Sequence, residues 1–203
     1  MIKAIKLKKI VIFVIIFCII FGILYYKKFL FGNNIIKNRS EEDILNSFEN
    51  YSAEINVTIT SNKTTNEYTI YQEVNCDYSM QEILKGQNIE GLKIELNKNI
   101  LKVSNSKLKL EKIYENYNNL LNNAMFLNSF SLDYKNEENE TNYYKDNEEI
   151  VLEVKLNNNQ NTYIKYKKLY LEEKTLKPKK LEMKDNTKKE TICIIYNNVE
   201  LKK

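Results

Sequence analysis

Apolar residues recur along this chain in three different ways, and each predicts a different kind of element. The first is unbroken. Ile10 to Tyr26 (IVIFVIIFCIIFGILYY) runs 17 residues without a charge. A helix apolar on every side belongs inside a large protein or a membrane, and this chain is too small for the first. Lys8 and Lys9 precede the run, Lys27 and Lys28 follow it, and Phe29-Leu30-Phe31 extends it. Snorkelling lysines can cover the deficit of a short span. Residues 10–31 are therefore expected to be a transmembrane signal anchor, with Ile10, Phe13, Phe17, Phe21 and Leu24 among its anchoring side chains. The run ends in Leu24-Tyr25-Tyr26-Lys27, with no small-residue cleavage pattern, and Ile16-Phe17 before Cys18 do not make a lipidation signal. Residues 1–9 are expected to stay in the cytoplasm while the long remainder is translocated, giving a single-pass protein of the cell membrane.

The second pattern has period two and follows a tether over residues 32–43. Ser40-Glu41-Glu42-Asp43 resembles a capping box that opens a short helix through Ile44, Leu45 and Phe48. Ala53, Ile55, Val57 and Ile59 then alternate with polar residues, as do Leu92, Ile94 and Leu96, and Ile150, Leu152, Val154 and Leu156. Such runs predict strands with one buried face. Shorter stretches occur at Leu108 and Leu110, at Leu181 and Met183, and at Ile192, Ile194 and Tyr196. Tyr68, Ile70 and Val74 fit a strand whose phase is broken by Gln72. A slip between Ile164/Tyr166 and Leu169/Leu171 predicts a bulge or turn near Lys167-Lys168. Hairpin-like connections are expected at Ser61–Asn66, Asn97–Asn99, Asn157–Asn161 and Asp185–Lys188, with Asn taking the positive φ that Gly usually supplies.

The third pattern has helical spacing. Ile113, Tyr117, Leu120, Leu121, Ala124 and Leu127 recur at steps of three and four, with asparagines opposite, and predict a long amphipathic helix. Met125, Phe126 and Phe130 widen its stripe, and residues 135–149 read as an exposed loop. A sheet with one wet face must cover the other. The expected fold is α+β: a curved antiparallel sheet, or open half-barrel, wrapped around amphipathic helices over residues 44–203. The stripe has two readings. It is core between helix and sheet, or Leu121, Met125, Phe126 and Phe130 line an apolar cavity or partner face.

Composition removes most chemistry from consideration. The chain has 30 Asn and 30 Lys, one Arg (Arg39), one Pro (Pro178), four Gly and no His or Trp, the skew expected of an AT-rich bacterial genome. Six lysines and no acid lie in residues 1–32, which leaves 25 basic against 27 acidic residues beyond them. A slightly acidic domain with one Arg offers neither a phosphate-binding surface nor bidentate base readout, so nucleic acid is not an expected partner. Without His there is no His-based general base and no imidazole ligand. Glycines at 22, 32, 86 and 91 exclude a phosphate loop. The carboxylate pairs Glu41/Glu42, Glu148/Glu149 and Glu172/Glu173 read as solvated surface. Cys76 and Cys193 read as small buried residues on separate strands, although an exported domain would permit their pairing. No catalytic residue, metal or cofactor is expected.

The order of elements resembles the clostridial germination lipoproteins (the GerS-related family), which are similar in fold to the LolA/LolB lipoprotein carriers. The resemblance spans residues 41–200. It rests on the short helix ending near Tyr51-Ser52-Ala53, and on strands at Tyr68-Thr69-Ile70-Tyr71-Gln72, Ile94-Glu95-Leu96-Asn97 and Val103-Ser104-Asn105. After a helix come Tyr170-Leu171, Pro178, Leu181-Glu182-Met183-Lys184-Asp185 and Ile194-Ile195-Tyr196-Asn197. The resemblance implies a non-enzymatic protein that binds a spore-cortex N-acetylmuramoyl-L-alanine amidase in sporulation or germination. The alternative it implies is a carrier of lipid or lipoprotein in the hollow of the half-barrel. Two departures stand out: Cys18 lacks the lipidation signal, and Asn186-Thr187 stand where a turn glycine is usual.

Overall fold

The computed structural model describes residues 40–117, 124–157 and 163–202. The anchor expected over residues 10–31 and its named side chains lie outside them. No helix among the described residues is long and apolar enough to cross a membrane. The described chain from Glu41 onward forms one compact unit.

That unit opens with helix α1 (Glu41–Asn46) and a 3-10 turn (Ser47–Glu49). Six strands follow: β1 (Asn50–Thr60), β2 (Thr65–Asn75), β3 (Tyr78–Lys85), β4 (Leu92–Asn97), β5 (Ile100–Asn105) and β6 (Leu110–Tyr114). Helix α2 (Leu127–Lys135) comes next. Then come β7 (Glu140–Asp146), β8 (Glu149–Lys155), β9 (Tyr166–Glu172), β10 (Pro178–Lys184) and β11 (Glu190–Leu201). All pairings are antiparallel, in the order β6-β5-β4-β3-β2-β1-β11-β10-β9-β8-β7. Two meanders are thus joined through their outer ends in sequence, β1 and β11, which meet in the middle of the sheet. The sheet does not close. Its edges, β6 and β7, are consecutive strands, and α2 lies between them in sequence.

Side chains show why the two layers adhere. Val57, Ile194, Leu181, Leu169 and Leu152 are cross-strand partners over five adjacent strands, and each is at most 1% exposed. Against this row pack Ile44, Leu45 and Phe48 from the first helical segment and Leu127, Phe130 and Tyr134 from α2. Fully burying a side chain of this size contributes roughly 1.5–3 kcal/mol, so these residues dominate the domain's stability. Bulges at Glu54/Ile55, Thr69/Ile70, Pro178/Lys180 and Met183/Lys184 interrupt the ladders. Such insertions bend strands and increase their twist.

Several expectations are corrected. Ile113 is in β6 and not in a helix, and the helix begins only at Leu127; Leu120 and Leu121 lie outside the described residues. Helical spacing of apolar residues was there, but asparagines favour turns, and β5 offers residues 110–114 a strand partner. Residues 135–149 contain β7, an edge strand polar on both faces that therefore carries no alternation. Gln72 does not break the phase of β2: it points inward and is fully buried. No bulge occurs at Lys167-Lys168, because Lys167 occupies an inward position of β9 between Val154 and Met183. Its ammonium is 2.6 Å from Asp133 of α2. Cys76 is exposed in the β2–β3 turn with φ 41°, and Cys193 is half-buried on β11; both are free thiols. Positive φ falls on Asn88, Asn116 and Asn147, but also on Lys98, Lys109 and Lys188.

Candidate functional site

The inner face of the sheet divides into a covered part and a less covered part. Over β1, β2 and β8–β11 the helices cover it, and two polar side chains fix how. The Tyr51 hydroxyl donates to Gln72 Oε1 at 3.0 Å and accepts from the Leu127 amide at 3.1 Å. Gln72 Nε2 donates to the Met125 carbonyl at 3.4 Å. Leu127 N is one of the amides a helix start leaves without an intrahelical partner, so Tyr51 does for α2 what a capping side chain would. Burial pushes the Tyr51 hydroxyl well above its ordinary pKa and keeps it a neutral donor. Of the four residues expected to form a cavity or partner face, Phe126 and Phe130 are buried between α2 and the sheet, Met125 is half-buried, and Leu121 lies outside the described residues. Gln72 belongs to the same cluster. Its place in the Tyr68, Ile70, Val74 series was the available signal.

Over β4–β6 the inner face is less covered among the described residues: Leu101 and Asn105 are buried, but the other inward side chains are not. Leu92, Ile94 and Leu96 alternate as expected, yet all three are only half-buried. Ile55 and Val57, in the same alternating pattern on β1, are buried. Leu92, Val103, Leu108, Leu110 and Tyr114 line an apolar groove of about 420 Å3 along this wing. Leu108 and Leu110 are more than half exposed. Lysines and acids rim it: Lys107 pairs with Glu90 at 2.7 Å, Lys102 with Glu111 at 2.9 Å, and Lys112 stands 4.9 Å above the Tyr114 ring. The Lys107 ammonium holds the Glu90 carboxyl below its ordinary range.

The outer face of the other half carries a polar ladder. Glu153, Lys168 and Glu182 are cross-strand partners on β8, β9 and β10. Lys168 pairs with Glu153 at 3.0 Å and lies over the rings of Tyr144 and Tyr170. Glu182 is bracketed by Lys180 and by Lys184 at 3.1 Å. Burial alone would raise the Glu182 carboxyl, but hydrogen bonds from the two lysines win and hold it below the usual carboxylate range. Tyr78 is pushed up to about 12 by burial and by donating to Glu95 at 3.0 Å. Glu182 and Tyr78 are thus both shifted away from neutral pH, and neither is poised for acid–base work there. Burial also raises the Cys193 thiol, which leaves it protonated and a poor nucleophile. Among the described residues no three Cys, Asp or Glu side chains are grouped to hold a metal.

No family model matches the chain, and no curated protein matches it. Solved structures do. The structure of the CwlD amidase in complex with the GerS lipoprotein, from Clostridioides difficile, matches at a TM-score of 0.50 and 22% identity, over 81% of this chain and 98% of the matched chain. An uncharacterized conserved protein from Thermus thermophilus matches at a TM-score of 0.51 and 11% identity, over 81% and 88% of the two chains. A LolA superfamily protein from Nitrosomonas europaea, at 11% identity and over 81% and 94% of the chains, has a TM-score of 0.37 and is too distant to bear on function. The fold is like that of the chain matched in the GerS–amidase complex, and the expected antiparallel, unclosed sheet is the one observed.

Proposed function

We propose that this protein is a non-enzymatic, membrane-anchored binding protein whose extracytoplasmic domain engages a cell-wall amidase of the N-acetylmuramoyl-L-alanine type, in sporulation or germination. The observation that carries this reading is the match over nearly the whole of a chain from a complex of GerS with an amidase. The apolar distribution supports it further. A carrier needs a hollow inside the sheet, whereas Phe48, Phe126, Leu127 and Phe130 fill the space under the helices. Ile100, Leu108, Leu110, Ile113 and Tyr114 are exposed on the open wing, where a protein partner can reach them. An N-terminal anchor over residues 10–31 would hold the domain beside the wall and raise its effective concentration there.

The test uses the full chain in lipid nanodiscs, mixed with the cortex amidase of the same organism. A one-to-one complex and faster release of stem peptides from cortex peptidoglycan are the expected results. No complex, together with stoichiometric fatty acid or lipopeptide released on denaturation, would establish the carrier instead.

A further inference from the structure

The two edges of this sheet are built differently. β7 (ETNYYKD) is polar on both faces, and its Glu140 and Lys145 form ion pairs with Lys155 at 2.7 Å and Glu173 at 2.5 Å. That is how native sheets protect an edge from pairing with other chains. β6 is protected less: it carries Glu111, paired with Lys102 at 2.9 Å, and Lys112, but the rest of it is apolar or aromatic. All five of its residues are exposed, and three of them are Leu110, Ile113 and Tyr114. Leu110, Lys112 and Tyr114 share one face of β6, and all three line the groove.

Charge separates this wing from the rest of the domain. Residues 85–117 contain seven lysines and four acidic residues, a net +3, while residues 40–203 as a whole contain 23 lysines and 27 acids, a net −4. Among the described residues Lys85, Lys98, Lys109 and Lys112 have no ion-pair partner, although Lys112 stands over Tyr114.

We infer that β6 is where the amidase docks, by adding an extended acidic-apolar segment of its own as a further strand on this edge. This rests on the partner reading above and adds the face and the mode of binding. Among the described residues no strand pairs with the outer edge of β6, and backbone groups along such an edge select an extended segment over a helix. The groove takes apolar side chains at every second position of the added strand. The surplus lysines select carboxylates flanking them. A second copy of this chain fits worse, because an antiparallel β6–β6 pair using all five residues sets Lys112 opposite Lys112. An acyl chain would use the groove but neither the edge nor the lysines.

The experiment measures binding of the same amidase to the full chain in nanodiscs, with hydrogen exchange read across the sheet. Leu110→Asp and Lys112→Glu should each weaken the complex by about tenfold or more. Tyr143→Asp, on the opposite edge, should leave it unchanged, and β6 amides should gain protection in the wild-type complex. Variant sites are exposed, so unchanged thermal melting is the expected control. If the amidase binds both β6 variants as tightly as wild type and β6 gains no protection, the face is wrong and the partner reading stands. Failure of wild type to bind overturns both. A fatty acid displaced from the groove, or a dimer lost on Leu110→Asp, would replace the amidase strand with those occupants.

Discussion

Tyr51 and Tyr196 are both buried tyrosines of the inner sheet face, and their hydroxyls meet opposite fates. Tyr51 joins Gln72 and the Leu127 amide, while the Tyr196 hydroxyl has no hydrogen-bond partner among the described residues. A made hydrogen bond contributes modestly, but removing one partner strands the others at about 1–3 kcal/mol each. Tyr51→Phe should therefore lower unfolding stability by roughly 1–3 kcal/mol, whereas Tyr196→Phe should be neutral or slightly stabilising. Urea midpoints of the two variants decide this, and equal losses would show that ring packing and not hydroxyl pairing governs both. Lys167 and Asp133 extend the logic to charge. The Lys167 side chain is 2% exposed and its partner 29%. Asp133→Asn leaves a buried ammonium unpaired and should cost about 3–5 kcal/mol, while Lys167→Met, which removes the charge itself, should cost much less. A larger loss for the methionine variant would contradict that account.

At the scale of elements, the outer ladder on β8–β10 makes stability depend on acid. Glu182 has a folded pKa held below its unfolded value by Lys180 and Lys184. Its contribution is present above the unfolded carboxylate pKa and is lost as pH falls through the depressed folded one. Glu182→Gln should therefore flatten the fall in melting temperature as pH drops through and below the ordinary carboxylate range, with its largest difference from wild type near neutrality. A parallel pair of curves would mean that the ladder is indifferent to this proton. Elements were legible in the sequence where one face is buried and the other wet, as in β1, β8 and the turn at Asp185. They were illegible where that contrast fails. β7 is polar on both faces, β3 mixes Met80, Gln81 and Ile83 on opposite sides, and β9 spends an inward position on Lys167. Local periodicity cannot register a partner such as Asp133, 34 positions away. The candidate groove was half visible: Leu92, Leu108 and Leu110 stood out as alternating positions, but only the folded sheet brings them into one groove.

For the molecule as a whole, the join between β1 and β11 decides how it comes apart. Each meander consists of neighbouring hairpins, and only this pairing brings residues near 55 against residues near 195. The 3-10 turn contacts β1 and α2 contacts β8, and the inward residues of β4 are only half-buried. Two tiers of stability follow, because regions with little buried apolar contact open locally at a fraction of the global free energy. Native-state hydrogen exchange should find β1, β11 and β10 amides exchanging only through global unfolding, and β5 and β6 amides exchanging through a lower local opening. Substitutions should divide the same way. Ile55→Asp places an unpartnered carboxylate at a fully buried site and should cost several kcal/mol, on the order of the whole stability of a small domain, so the variant should show no cooperative melt. Leu110→Asp, at a position 62% exposed, should melt as wild type does. A common exchange rate for wing and centre would instead mean that the wing is stabilised as strongly as the core, and would remove the basis for regarding β4–β6 as surface held open for a partner.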